Sequence, residues 1–158
     1  MLFRSLLPPL VDENSVVVLI QNGVGVEDDV QAMFPDVQLV AGLAFICSAK
    51  TQPGTVSHQC YGHINLGNFS CRNAQKVEAI VAELNAAGVK TGLVEYHEAR
   101  WKKAVWNMPF NGMTVALHTQ TDLLKNKSTR QLIREQMMEV VSVAQHLAVK
   151  NQIVRAHV

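Results

Sequence analysis

The sequence predicts an α/β fold followed by an all-helical part, with the change between them near residues 96–98. Residues 16–20 are an unbroken run of valine, leucine and isoleucine, which is typical of a strand buried on both faces of a parallel sheet. Residues 38–67 alternate instead and are rich in β-forming residues. After residue 98, two long stretches have helical periodicity, 101–116 and 128–150.

Composition and charge exclude several classes of protein. The chain has 158 residues, which is long enough for a real hydrophobic core. Its 14 lysines and arginines nearly balance its 13 aspartates and glutamates, so we expect no nucleic-acid or membrane partner. Pro8 and Pro9 cut the apolar N-terminal run far short of a signal core or a membrane span. Three cysteines without a CxxC pair favour a reducing cytoplasm over a disulfide framework.

The order of elements in the α/β part follows from its turn and cap residues. No second unbroken apolar run precedes residues 16–20, so we expect most parallel neighbours of this strand to be missing from the chain. Two or three antiparallel strands follow, joined by a turn at Pro53-Gly54. The remaining predicted elements are a helix at 27–34, a helix at 74–87 capped by Asn73 and a short strand at 89–95.

The Gly23-Val24-Gly25 turn after the first strand invites a phosphate-loop interpretation, which the next residues argue against. The third glycine of a GxGxxG motif would fall at Asp28, and a first helical turn with three carboxylates would repel a pyrophosphate. A tight turn is the simpler explanation of the glycines. Asn22 lies at the carboxyl end of the strand, where open α/β sheets bind ligands, although asparagine also tolerates a left-handed turn.

A metal site is the second interpretation that the sequence raises and disfavours. His58, Cys60 and His63 are close together in the β-rich stretch. On an extended strand His58 and Cys60 share a face, but His63 lies on the other, and no fourth ligand is near. We therefore predict no metal, and polar groups satisfied within the sheet.

The helix predicted at 101–116 carries Lys103, Asn107 and Asn111 at intervals of four residues. Each such step turns only about 40° around the helix axis, so the three side chains form one polar stripe. A lysine can protonate or polarise an oxygen, and an asparagine can orient a hydroxyl or a carboxylate. A solvated lysine and exposed asparagines are the alternative. We expect the surrounding side chains to be buried, namely Ala104, Val105, Trp106, Met108, Phe110, Met113 and Val115.

Pro109 lies inside this helix. A proline there removes the hydrogen bond to the carbonyl of Val105 and costs roughly 3 kcal/mol unless the helix kinks or restarts. If the helix breaks at Met108, Lys103 and Asn111 need not share one face.

The last predicted helix begins at a capping box formed by Ser128 and Gln131 and runs to about Lys150. Its apolar residues recur at helical spacing and predict a packing face without a cofactor. That face consists of Ile133, Met137, Val140, Val141, Ala144, Leu147 and Ala148.

Three features, in this order along the chain, resemble those of the ketopantoate reductase (2-dehydropantoate 2-reductase) family. They are QNGVG at 21–25, the segment PGTVSH…GHINLG, and the WxKxxxNxxxN pattern from Trp101 to Asn111. In that family the first closes a strand of the nucleotide-binding domain, and the helix opens the second domain. The resemblance implies that residues 1–96 are the C-terminal part of a Rossmann-like nucleotide-binding domain. It implies that residues 97–158 are the N-terminal part of a helical substrate and dimerisation domain.

The resemblance also implies a reaction, the NADPH-dependent reduction of 2-dehydropantoate to pantoate in pantothenate and coenzyme A biosynthesis. Lys103 would be the catalytic residue at the carbonyl oxygen, with Asn107 and Asn111 binding the substrate. Asn22 would contact the nicotinamide end of the cofactor or the substrate. Other branched 2-oxo acids are open as substrates.

Several parts of the family pattern have no counterpart here. The glycine-rich loop and the downstream serine and glutamate of the family are not matched, so we expect the chain to correspond to the middle of a reductase about twice its length. It would be a fragment, a truncated gene product or a diverged relative, and we expect it to be inactive alone. The alternative from another class is a truncated, non-catalytic α/β module that forms a homodimer through the helix at 128–150 and the strand at 16–20.

Overall fold

The computed structural model describes residues 3–119 and 124–147, with side chains from Ser5 onward. The chain divides into two compact units, Met1–Tyr96 and His97–Val158. The first, called the sheet unit, contains a four-stranded sheet and its covering helices. The second, called the helical unit, is built in its described part from long helices. The predicted fold class, α/β followed by all-α, is confirmed.

The helices and strands lie close to the predicted positions, with most boundaries differing by one or two residues. In chain order they are α1 (Phe3–Leu6), β1 (Val16–Leu19), α2 (Val26–Met33), β2 (Gln38–Gln52), β3 (Thr55–Asn68), α3 (Ala74–Ala86), β4 (Thr91–Val94), α4 (Tyr96–Ala116) and α5 (Lys127–His146).

The strand order in the sheet is β1-β2-β3-β4. β1 pairs in parallel with the start of β2, from Val16 opposite Gln38 to Leu19 opposite Ala41. β2 is therefore a parallel neighbour of β1 within this chain, although we expected most such neighbours to be missing. The helix α2 forms the crossover that connects the two strands. The partner was hidden because its buried residues, Gln38 to Leu43, include a glutamine, an alanine and a glycine rather than a purely branched run.

β2 and β3 form a long antiparallel hairpin, closed by the predicted Pro53-Gly54 turn, where Gly54 has φ of +77°. β1 covers β2 only over 38–41, and β4 pairs in parallel with β3 only over 64–67. Residues 46–61, the end of the hairpin around its turn, project beyond both strands and are exposed except at the half-buried Cys47. We call residues 46–61 the β2–β3 arm.

Helices cover both faces of the sheet. Leu39 packs with Leu19 and with Val30 of α2, whereas its neighbour Val40 packs with Leu66 and with Val77 of α3. Adjacent residues of one strand point to opposite faces, so the two clusters place the sheet between α2 and α3. The predicted cap of α3 is confirmed, because Asn73 accepts a hydrogen bond from the backbone N–H of Gln75 at 2.9 Å.

In the helical unit, α4 and α5 bury a shared apolar core. Its members are Trp101, Ala104, Val105 and Phe110 of α4 with Ile133, Met137, Val141 and Ala144 of α5. Val140 packs against this core, as predicted, but Leu147 is 60% exposed and does not belong to it. Ala148 and Lys150 lie outside the described residues.

The start of α5 differs from the prediction. Asn126, not Ser128, is the N-cap, because its side-chain oxygen accepts from the backbone N–H groups of Ser128 at 2.9 Å and Thr129 at 3.2 Å. Gln131 does not reach back to a cap and donates instead to Glu135 at 2.8 Å. Asparagine is as good a cap as serine, so the earlier of two suitable residues begins the helix.

No helix in the described ranges combines the length and the apolar character that a membrane span requires.

Candidate active site

The turn after β1 is shaped by its glycines. Gly23 has φ of +128° and Gly25 has φ of +84°, values that side-chain-bearing residues rarely adopt. A Cβ on Gly23 would also lie 2.8 Å from Cγ2 of Val26. The two glycines therefore allow the chain to turn sharply into α2. Asn22 is exposed in this turn, just beyond the carboxyl end of β1.

The first turn of α2 is acidic, and its three carboxylates are not equivalent. Asp28 and Asp29 are exposed, whereas Glu27 is fully buried and accepts a hydrogen bond from Tyr96 Oη at 2.9 Å. Carboxylates at a helix N-terminus occupy the place where a phosphate would otherwise be favoured. The acidic first turn of α2 therefore disfavours a pyrophosphate.

The predicted polar stripe lies on one continuous helix. α4 runs from Tyr96 to Ala116 without interruption at Pro109, so Lys103, Asn107 and Asn111 keep the four-residue spacing of a single face. Lys103 and Asn107 are half-buried, and Asn111 is exposed. The break at Met108 that would have separated Lys103 from Asn111 does not occur.

The helix persists through Pro109 because of the residues around it. Pro109 is itself buried, and its neighbour Phe110 belongs to the core shared with α5. The ring of Phe110 also stacks on Trp106, with centroids 3.9 Å apart and planes at 16°. One turn later, the hydroxyl of Thr114 donates to the carbonyl of Phe110 at 2.8 Å. Packing on both sides of the proline thus offsets the hydrogen bond that it removes.

Burial lowers the pKa of Lys103, and the positive charge of Arg100 lowers it further. Arg100 is 3% exposed and lies one helical turn before Lys103. A lysine ammonium of lowered pKa gives up its proton more readily near neutral pH. Arg100 was not among the predicted site residues, although its spacing of three residues from Lys103 on a helix places the two cations on neighbouring positions of one surface.

The expectation that apolar side chains bury the surface around the stripe is only partly correct. Ala104, Val105 and Phe110 are buried, but Trp106 is 45% exposed, Met108 51% and Val115 73%. In the described ranges the apolar core of the helical unit lies between α4 and α5, and Trp106, Met108 and Val115 do not belong to its buried members.

The histidines of the hairpin have a structural use. Nε2 of His58 lies 3.2 Å from the carbonyl oxygen of Cys60 and 3.1 Å from that of Tyr61, so it must be the protonated, donating nitrogen. His63 stacks on Phe45 with ring centroids 4.7 Å apart. Across residues 3–119 and 124–147, no three histidine, cysteine or acidic side chains are grouped closely enough to hold a metal ion.

Comparisons with known proteins identify the family. Residues 3–70 match the family described as "Ketopantoate reductase PanE/ApbA", and residues 95–158 match "Ketopantoate reductase PanE/ApbA C terminal". The 2-dehydropantoate 2-reductase of Nostoc sp. is 36% identical over 153 residues, which cover 92% of this chain and 48% of that protein. The chain thus spans about half the length of this relative, as expected from its unmatched motifs.

Solved structures have the same fold. The 2-dehydropantoate 2-reductase of Geobacter metallireducens superposes with a TM-score of 0.82 and 35% identity, covering 90% of this chain and 48% of that one. A ketopantoate reductase of Staphylococcus aureus, described as dimeric, gives a TM-score of 0.76 at 19% identity over 96% of this chain and 55% of its own. With its Rossmann-like sheet unit followed by a helical unit, the chain belongs to the ketopantoate reductase family.

Proposed function

We propose that this chain is part of an NADPH-dependent reductase that converts 2-dehydropantoate to pantoate, a step of pantothenate and coenzyme A biosynthesis. The observation that carries the proposal is the stripe of Lys103, Asn107 and Asn111 on an unbroken α4, with Lys103 half-buried at its start. Family membership supports the reaction type, and the stripe supplies side chains that suit a 2-oxo acid.

Lys103 is the proposed catalytic residue. When the ketone carbon is reduced, negative charge develops on its oxygen, and a nearby ammonium stabilises that charge or donates a proton to it. Burial and Arg100 lower the pKa of Lys103, which favours proton donation near neutral pH. Partial burial also strengthens its interaction with an anionic oxygen, because less water screens the charge.

Asn107 and Asn111 are the proposed substrate-binding residues. Each carboxamide both donates and accepts hydrogen bonds, so each can hold a hydroxyl or a carboxylate in one orientation. Asn107 lies one turn from Lys103 and Asn111 one turn further, which matches a substrate that extends along the helix from its carbonyl group.

Asn22 is the proposed contact to the cofactor. NADPH supplies the hydride when it is bound. The exposed carboxamide of Asn22 suits the nicotinamide end, whereas the acidic first turn of α2 disfavours a phosphate there. In this proposal residues 1–96 are the C-terminal part of the nucleotide-binding domain, and residues 97–158 begin the substrate and dimerisation domain.

A second candidate function is a non-catalytic module that forms a homodimer. Leu132 and Val143 of α5 and Leu147, its C-cap residue, are 43%, 50% and 60% exposed, and β1 is an edge strand of the described sheet. Apolar helix surface and an edge strand both favour association with another chain. A mass that rises with protein concentration in light scattering supports this candidate, and it is compatible with a reductase that is also a dimer.

The decisive experiment is a titration of the purified chain with NADPH, followed by the fluorescence of the cofactor, with and without 2-dehydropantoate. Micromolar binding that the 2-oxo acid alters would show that the cofactor site is retained in this chain, contrary to the expectation that the chain is inactive alone. In that case Lys103→Ala should abolish the effect of the 2-oxo acid, whereas Asn22→Ala should weaken NADPH binding even in its absence.

Lys102→Ala is the matched control, because Lys102 is the adjacent lysine and is ion-paired with Glu98 rather than placed in the stripe. It should bind both ligands as the unchanged chain does. If a chain that is folded by circular dichroism shows no binding up to millimolar NADPH, this chain does not hold the cofactor site. If Lys102→Ala and Lys103→Ala lost the effect of the 2-oxo acid on NADPH binding equally, the specific role of Lys103 would be refuted.

A further inference from the structure

Two of the three cysteines lie opposite each other in the β2–β3 arm. Cys47 of β2 and Cys60 of β3 are direct partners in the antiparallel register. They are 13 positions apart in the sequence, and only the pairing of the strands brings them together. The register shifts on both sides of this pair, between Phe45 and Ile46 and between Cys47 and Ser48.

The geometry of an antiparallel pair is close to that of a disulfide. Directly opposed residues have Cα atoms about 4.5 or 5.5 Å apart, and disulfides span Cα separations of about 4.4–6.8 Å. Their Cβ atoms are about 4.5–5.5 Å apart, against about 3.5–4.5 Å in a disulfide. The two cysteines therefore need to approach by roughly one ångström, and the neighbouring shifts in register give the strands room to adjust locally.

The two thiols also differ in access. Cys60 is exposed and Cys47 is half-buried, so a reagent from solvent reaches Cys60 first and leaves Cys47 beside it. The thiols already interact, because contact with Cys47 is the main cause that raises the pKa of Cys60. Cys71, the third cysteine, is buried, and its thiol donates to the carbonyl of Asn73 at 3.3 Å.

We propose that Cys47 and Cys60 form a redox-active dithiol that low-molecular-weight disulfides, such as oxidised glutathione, convert to an intrachain cross-strand disulfide. This site is separate from the residues assigned to the reductase reaction. It lies on an exposed part of the sheet unit that the proposed catalytic chemistry does not use.

The conversion takes two exchange steps. The Cys60 thiolate attacks one sulfur of oxidised glutathione, the glutathione S–S bond breaks, and the first glutathione leaves as a thiolate that takes up a proton. The Cys47 thiolate then attacks the Cys60 sulfur and displaces the second glutathione. In total, two protein thiols lose two electrons and two protons, and one glutathione disulfide becomes two thiols. A dithiol reductant reverses the sequence.

The test treats the full chain with oxidised glutathione, blocks remaining thiols with N-ethylmaleimide under denaturing conditions and measures the intact mass. We expect a chain that is lighter by two hydrogen atoms and carries one maleimide, on Cys71, without glutathione. Peptide mapping should find the peptides of Cys47 and Cys60 linked. Cys47→Ala should instead retain glutathione on Cys60, since no second thiol displaces it, and Cys60→Ala should react slowly.

Phenylarsine oxide provides a second measurement that involves no oxidation. Trivalent arsenic bonds to two adjacent thiols with release of water, so it should protect two cysteines of the unchanged chain from maleimide and none in either single variant. Both variants change exposed or half-buried positions of the arm, and circular dichroism checks their folding. Glutathione retained equally by the unchanged chain and Cys47→Ala, a disulfide between two chains, or no arsenical protection would each overturn the proposal.

Discussion

The hydroxyl of Tyr96 donates a hydrogen bond of 2.9 Å to the carboxylate of Glu27, and both side chains are buried. The two residues are 69 positions apart, one after β4 and the other in the first turn of α2. Tyr96 is held in place from other sides as well. Its ring meets Phe69 edge to face at 5.0 Å, and its Cα would lie only 2.9 Å from a Cβ on Gly67. The contact thus joins the first turn of α2, which follows the turn that carries Asn22, to the last residue of the sheet unit.

Tyr96→Phe should lower the free energy of unfolding by about 1–3 kcal/mol, the usual cost of leaving a buried hydrogen-bonding group without its partner. The phenylalanine keeps the ring against Phe69, so the loss reports the hydroxyl alone. Urea unfolding of Tyr96→Phe, Glu27→Gln and the double variant measures the coupling between the two side chains. Additive losses in the double variant would mean that this hydrogen bond contributes nothing of its own.

Gly67→Ala should destabilise the sheet unit by about 1–3 kcal/mol, because its Cβ would press on the backbone of Tyr96 rather than on a flexible side chain. Gly92→Ala in the neighbouring strand is the matched control. A Cβ there meets only Asn65 Oδ1 at 3.7 Å, an ordinary contact. Thermal unfolding should separate the two variants clearly, and equal midpoints would show that Tyr96 moves aside at no cost.

Lys103→Met should change how stability depends on pH. The folded state lowers the pKa of Lys103, so its charged form is disfavoured in the folded chain. At pH values below the folded pKa the lysine is charged in both states and the full penalty applies. As pH rises from the folded pKa toward the unfolded value of about 10.4, only the unfolded chain keeps the proton, and the penalty disappears.

Relative to Lys103→Met, the unchanged chain should therefore gain stability with rising pH in this window, as measured by urea midpoints. A difference that does not vary with pH would contradict the lowered pKa.

The N-cap of α5 provides a direct test of the corrected helix start. Asn126→Ala removes the acceptor for two backbone N–H groups and should cost about 1 kcal/mol, within the usual range for an N-cap. Ser128→Ala should leave the unfolding midpoint nearly unchanged, although Ser128 was the predicted cap. A larger loss of stability in Ser128→Ala than in Asn126→Ala would restore the capping-box interpretation.

The pKa of Cys60 is raised, chiefly by its contact with the thiol of Cys47, so alkylation of Cys60 should require a higher pH than for an isolated cysteine. Cys47→Ala removes that cause and should shift the pH profile of the iodoacetamide reaction rate to lower pH. The rate is followed by mass spectrometry under native conditions, where Cys71 is buried. An unchanged profile in Cys47→Ala would show that the two thiols do not interact.

The elements of the fold were predictable where local chemistry decides them. Asn73 caps α3, the Pro53-Gly54 turn closes the hairpin, and the spacing of Lys103 and Asn107 predicts their common helix face. Each of these signals lies within a few residues of the structure that it determines. The same locality explains the error at Asn126, where two good caps lie two positions apart and only the surrounding structure selects between them.

Several relationships that sequence reasoning missed join residues that are distant in the sequence. Neither Glu27 nor Tyr96 carries a local signal of the other, and the opposition of Cys47 and Cys60 depends on the strand register. That register shifts at several points along the hairpin, so counting residues from the turn does not give the pairs. The parallel pairing of β1 with β2 was also missed. A parallel partner strand is recognised in a sequence by an unbroken apolar run, because both of its faces are buried, and the buried but polar Gln38 hides that pattern at the start of β2.

The β2–β3 arm has a consequence for the cooperativity of unfolding. Near Ala41 and Gly67 the ladder lies within four strands and between two helices, whereas between Ile46 and Tyr61 it is a two-stranded ribbon, a form that is only marginally stable in water. Amide hydrogens of the ribbon should therefore exchange through local opening that starts at Gly54, while those at the base exchange only when the whole sheet unit unfolds. A single pair of strands would thus contain two separate opening equilibria.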